Sequence, residues 1–116
     1  MAITRDDVLK RSAPRPPVEV SIPEWGAALL RYPTFAEWYS VVHPMRQLEG
    51  KEPPVDLVAR TVAIVLANPD GSRMLTDSEA TRLMDKDFSA VMKVWNRAWE
   101  TVLRFEDKDL EAAAKN

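Results

Sequence analysis

There is no cysteine among the 116 residues of this chain. Disulfide staples, thiolate nucleophiles and zinc–thiolate sites are therefore excluded at once, and the composition fits a reducing cytoplasm. Histidine occurs once, as His43. A single imidazole without thiolate neighbours supports neither a histidine-based metal site nor the usual nucleophile relay. Placed just before Pro44, it reads as a helix-end side chain beside the last carbonyls. Glycine is scarce, at three residues, and no phosphate-cradling glycine loop or Gly-x-Ser-x-Gly elbow occurs. The N-terminus carries no apolar secretory core. No apolar stretch approaches the roughly 20 residues of a membrane span; the longest runs only from Thr61 to Ala67. Nor does one sign of charge dominate. Sixteen Lys and Arg stand against eighteen Asp and Glu, for a net charge of −2, and the signs are mixed along the chain. A duplex-binding domain is normally basic, with clustered cations. Neither nucleic acid nor membrane is expected as a partner.

The acidic pairs do not supply the missing chemistry. Asp6-Asp7, Asp77 with Glu79, Asp85 with Asp87, and Glu106-Asp107 lie at helix starts or on a charged tail, where dipole complementarity and solvation account for them. Two-carboxylate hydrolysis needs both groups facing one cleft. Asp70-Gly71 with Asp77 lacks the ligand spacing of a calcium loop, and Met74 and Leu75 interrupt it. No catalytic residue, metal or cofactor is assigned, and the chain reads as non-enzymatic.

What the chain does have is apolar surface arranged on helices. Hydrophobic residues make up 46% of it, with four tryptophans and three phenylalanines. A chain of this length fits one domain that buries roughly two-thirds of its unfolded surface. Residues 1–17 form an N-terminal arm and lead-in. Thr4 with Asp6 and Asp7 can start a short helix through Lys10, or the segment is a mobile arm, and Pro14, Pro16 and Pro17 hold the chain extended. Val18-Glu19-Val20-Ser21-Ile22 alternates as a half-buried strand does. Pro23 to Gly26 is a turn, and Ala27 to Arg31 is the return strand of a hairpin in preference to a helix. Thr34-Phe35-Ala36-Glu37 is a capping box. It opens a helix with Phe35, Trp38, Tyr39, Val42 and Met45 at helical spacing, ending near Met45 because of Pro44.

Val55, Val58, Ala59, Val62, Val65 and Leu66 trace a second helical stripe, with a strand over Thr61 to Leu66 as its rival because valine is a poor helix former. Asn68-Pro69-Asp70-Gly71 is a turn. Thr76 and Glu79 form another capping box ahead of a short helix through Met84. Asp87 caps the last helix, in which Phe88, Val91, Trp95, Ala98, Val102 and Phe105 recur every three or four residues, widened by Met92, Trp99 and Leu103. Residues 107–116 read as a flexible tail. The fold class is thus mainly α: a small helical domain over 18–106 with a short N-terminal β-hairpin.

The aromatics carry the functional argument. Trp25 is either a core or hairpin anchor or an exposed ring used at an interface. Trp95 and Trp99, one turn apart, either pack against the Trp38 helix or form a face that meets another protein. Trp25, Trp38, Trp95, Trp99, Val102 and Phe105 are the candidate partner-binding residues.

In order along the chain, four features resemble the tail assembly chaperones of long-tailed phages and prophages. They are Ile3-Thr4-Arg5-Asp6-Asp7-Val8-Leu9; Val18-Glu19-Val20 leading to Ile22-Pro23-Glu24-Trp25-Gly26; Asn68-Pro69-Asp70-Gly71 followed by Met74-Leu75-Thr76-Asp77; and Leu83 ahead of a long terminal helix. The segment from Pro33 to Gln47 is more aromatic than that pattern. The resemblance implies a mainly helical, self-associating protein. It also implies binding to the tape-measure protein, with the major tail-tube protein as a further partner, during assembly in the host cytoplasm, and absence from the mature virion. Such families often make a longer form by ribosomal frameshifting, and codons for Lys115-Asn116 can supply the adenine run this needs. The rival expectation is a tail structural or completion protein retained in the virion.

Overall fold

The computed structural model describes residues 2–10 and 15–104. Helix α1 (Arg5–Lys10) is capped reciprocally: the Asp7 amide donates to Thr4 Oγ1 and the Thr4 amide to Asp7 Oδ2. None of its residues is buried. Strands β1 (Val18–Ile22) and β2 (Gly26–Leu30) pair antiparallel, Val18 opposite Leu30 and Ile22 opposite Gly26. The turn between them closes where the Trp25 amide donates to the Ile22 carbonyl at 2.9 Å, and Gly26 takes a φ of 100° that a side chain would disfavour. The alternation read from the sequence sends Val20 and Ile22 into the core.

Helix α2 (Phe35–Gln47) starts at the expected capping box. The Glu37 amide donates to Thr34 Oγ1 and the Thr34 amide to Glu37 Oε1. It does not stop for Pro44, which lies inside it. Proline has no amide to offer the carbonyl four residues back, that of Ser40. Arg60 supplies the missing donor: its Nη2 meets the Ser40 oxygen at 2.5 Å. The guanidinium replaces the lost helix bond, and α2 runs on to Gln47, past the end near Met45 that its proline suggests.

Helix α3 (Val55–Val65) is the centre of the molecule. Every residue from Leu57 to Val65 except Arg60 is buried, and Thr61 satisfies its hydroxyl by donating to the Leu57 carbonyl at 2.7 Å. A helix apolar on nearly all sides belongs inside, and α2, α4, α5 and the segment Thr81–Asp85 all contact it. The helical reading of this stretch holds over its strand rival, which survives only as β3 (Leu66–Ala67). This two-residue strand pairs antiparallel with β2 and completes a three-stranded sheet in the order β1-β2-β3.

The turn after β3 closes through the Gly71 amide on the Asn68 carbonyl, with Gly71 at a φ of 88°. Helix α4 (Asp77–Ala80) carries the second capping box, Thr76 with Glu79. It tightens into a 3₁₀ helix (Thr81–Asp85) rather than continuing as one α-helix to Met84. Helix α5 (Phe88–Glu100) is capped by Asp87 Oδ1, which accepts from the Ser89 and Ala90 amides. It ends at Glu100, short of the expected extension toward Phe105. Thr101 leaves helical geometry, and the Leu103 amide reaches back to the Ala98 carbonyl at 2.9 Å. On a continuing helix Val102 and Leu103 would diverge by about 100°; the turn lets both enter the core. Among the described residues no helix is long and apolar enough to cross a membrane.

Candidate functional site

Three helices begin on an exposed large apolar residue. Phe35 follows Thr34 and is 79% exposed, Val55 follows Pro54 and is 67% exposed, and Phe88 follows Asp87 and is 81% exposed. The first helical position sits outside the buried stripe, so a ring placed there projects from the helix end. Phe88 and Val55 face one groove of about 450 Å³ between the start of α3 and the face of α5. Met84 and Met92, both exposed, complete its walls, while Val58 and Trp95 lie in its floor. Among the described residues, only Glu52 and Lys86 bring charge to its lining.

A second groove, of about 460 Å³, opens at the other capped start. Tyr32, Phe35, Trp38 and Val102 line it, with Arg15 and Arg104. The Arg15 guanidinium lies 3.8 Å from the centre of the Tyr32 ring. Along α2 the rings form a ladder: Phe35 to Trp38 at 6.5 Å, Phe35 to Tyr39 at 6.2 Å, and Tyr39 stacked on His43 at 5.1 Å. His43 is thus an exposed helical side chain set on an aromatic face.

This second groove is anchored by a half-buried ion pair. Arg31, just past β2, sends Nη2 to Glu37 Oε1 at 2.9 Å and Nη1 to the Ile64 carbonyl at 2.7 Å. One side chain therefore joins the sheet, the end of α3 and the start of α2. Partial burial pushes the Glu37 carboxyl up, but the hydrogen bonds from Arg31 and Thr34, with the Arg31 charge, outweigh it and hold the group below the ordinary carboxylate range. Glu24 is also held low, through its hydrogen bond from Lys93 at 2.8 Å, which ties the hairpin turn to α5.

The partner-binding candidates from the sequence are dispersed by the fold. Trp95 is 7% exposed and Val102 is buried, so each offers the base of a groove rather than a protruding ring. Trp38 is half-buried in the second groove, and Trp25 stands exposed on the hairpin turn. Trp95 and Trp99 meet edge to face at 5.5 Å, with Trp99 packed against the core. Phe105 lies outside the described residues. Sequence reasoning placed Phe88, Met92 and Val55 in the apolar stripes of their helices and gave Met84 no role beyond ending a short helix, whereas all four are exposed. The available signal was an apolar residue immediately after a capping position. No family model, curated protein or solved structure matches this chain.

Proposed function

We propose that this chain is a non-enzymatic phage tail assembly chaperone that holds the tape-measure protein, with tail-tube subunits as further clients, in the host cytoplasm. The observation that carries the reading is the apolar groove walled by Val55, Met84, Phe88 and Met92 over Trp95. Exposed apolar surface of this kind is costly in water unless it is covered, and an amphipathic client helix lays its apolar face into such a groove. The two methionines suit a repetitive, variable client, because unbranched thioethers repack around different shapes. The order of sequence features that resembles tail assembly chaperones supplies the identity of the client.

The test is co-expression with the tape-measure protein encoded nearby. Wild-type chain should keep that protein soluble, and Phe88→Asp should abolish the effect while leaving the far-ultraviolet circular dichroism unchanged. Unchanged client solubility with the wild-type chain would overturn the proposal. Mass spectrometry of purified particles gives an independent reading, because a chaperone should be missing and a retained structural subunit present.

A further inference from the structure

We propose that the outer edge of strand β1 is a self-recognition surface: it pairs antiparallel with β1 of a second copy, centred on Val20, and joins two three-stranded sheets into one. Strand β1 ends the sheet order β1-β2-β3. One of its edges is bonded to β2, and among the described residues no strand or backbone hydrogen bond meets the other. The far end of the sheet is treated differently. There Arg73 bridges to Ala67, and the Met74 amide donates to the Leu66 carbonyl at 3.0 Å, so the chain covers β3 itself. Amides and carbonyls left on a sheet edge template another strand unless something deters it. Strand β1 contains no proline and no lysine, and its inward residues Val20 and Ile22 are apolar.

The strand admits one full register. Residues that face each other across a ladder lie on the same side of the sheet. Val18, Val20 and Ile22 turn toward the core while Glu19 and Ser21 are exposed, so the two-fold axis must pass through a residue and not between two. Centring it on Glu19 sets that carboxylate against its own copy and draws Pro17 into the ladder opposite Ser21. Centring it on Ser21 draws in Pro23 opposite Glu19. Proline offers a ladder no amide. Centring it on Val20 pairs all five residues of the strand: Val18 with Ile22 of the second copy, Glu19 with Ser21, and Val20 with itself. Each Glu19 carboxylate then lies beside a hydroxyl that can donate to it, and like charges are kept apart. The axis stands perpendicular to the sheet, so both apolar faces stay on one side and the contact is self-complementary. This edge belongs to neither groove, and the pairing goes beyond the chaperone reading.

Sedimentation of the full chain over a range of concentrations reads the dimer dissociation constant. Ser21→Glu sets a carboxylate opposite Glu19 at both ends of the pairing and should weaken the dimer by about tenfold. Glu19 and Ser21 are both exposed, and circular dichroism verifies the fold of each variant. Glu19→Lys combined with Ser21→Glu makes each facing pair opposite in charge and should restore the affinity, which a change acting only on the monomer would not do. Because the chain has no cysteine, introduced thiols report the register without background. Under a mild oxidant, Glu19→Cys with Ser21→Cys places thiols directly opposite across the two copies. It should yield crosslinked dimer at least about fivefold faster than Glu19→Cys alone, whose thiols are out of register, because pairing raises the local concentration of the facing thiol. A chain that stays monomeric throughout, a dimer indifferent to Ser21→Glu, or equal crosslinking rates would each overturn the proposal.

Discussion

Arg60 shows how a distant side chain can rescue a local defect. Its guanidinium stands where the amide of residue 44 would have donated to Ser40, while its Nε is buried without a partner. The cost of removing it should therefore depend on what occupies position 44. Arg60→Ala alone strands the Ser40 carbonyl and should cost about 1–3 kcal/mol. Pro44→Ala restores an amide at that place, so in the Pro44→Ala background the same Arg60→Ala change should cost about 1 kcal/mol less. Denaturant unfolding of the four proteins measures the coupling. Glu37 gives a second test at this scale. Its folded-state pKa lies below the ordinary value of 4.5, so the unfolded chain takes up the proton first as pH falls. The stabilisation is complete above the unfolded pKa and is lost as pH drops through the depressed one. The Tm should hold from neutral pH down to about 4.5 and fall below it, with Glu37→Gln flattening that fall. Glu24, Asp70 and Glu79 shift in the same direction and add to the acid limb.

Each capped helix was legible in sequence because capping is local chemistry. Thr34 with Glu37, Thr76 with Glu79, and Asp87 all do what their spacing implies. Helix α4 has only four α-helical residues and depends most on its cap. Thr76→Ala should cost about 1 kcal/mol and increase amide exchange through the following 3₁₀ turn. The ends of α2 and α5 were not legible, because both are decided by tertiary partners. The Pro44 break is repaired by a residue from another helix, and the α5 stop is set by burying Val102 and Leu103 together. The same distinction separates the grooves from the core. Periodicity assigns Phe88 to the buried face, but at the first position of α5 the ring has no neighbour across the stripe. Phe88→Asp should therefore change stability by no more than about 0.5 kcal/mol, unlike the large penalty expected for a charge in the core.

The central position of α3 governs the whole chain. The sheet reaches it through the amide of Arg31 on the Val65 carbonyl at 2.8 Å, and α2, α4 and α5 contact it directly. Helix α1 has no buried residue, and the other elements share one core around α3, so their unfolding should be cooperative. Tryptophan fluorescence and far-ultraviolet circular dichroism should give coincident denaturant transitions, and Val62→Ala, at 0% exposure, should shift both together by about 2 kcal/mol. The hairpin and the helical majority could be read from pattern; that a valine-rich helix would be surrounded rather than half-exposed could not, because a stripe gives a minimum face and not a maximum.

The thioethers of Met84 and Met92 at the rim of the first groove leave the chain open to oxidants despite its freedom from thiols. Peroxide converts such side chains to sulfoxides, which are polar and chiral. Damage would thus wet the walls of that groove while leaving the α3-centred interior folded. Treated protein should keep its melting transition, lose the client binding proposed for the groove, and regain it with methionine sulfoxide reductase.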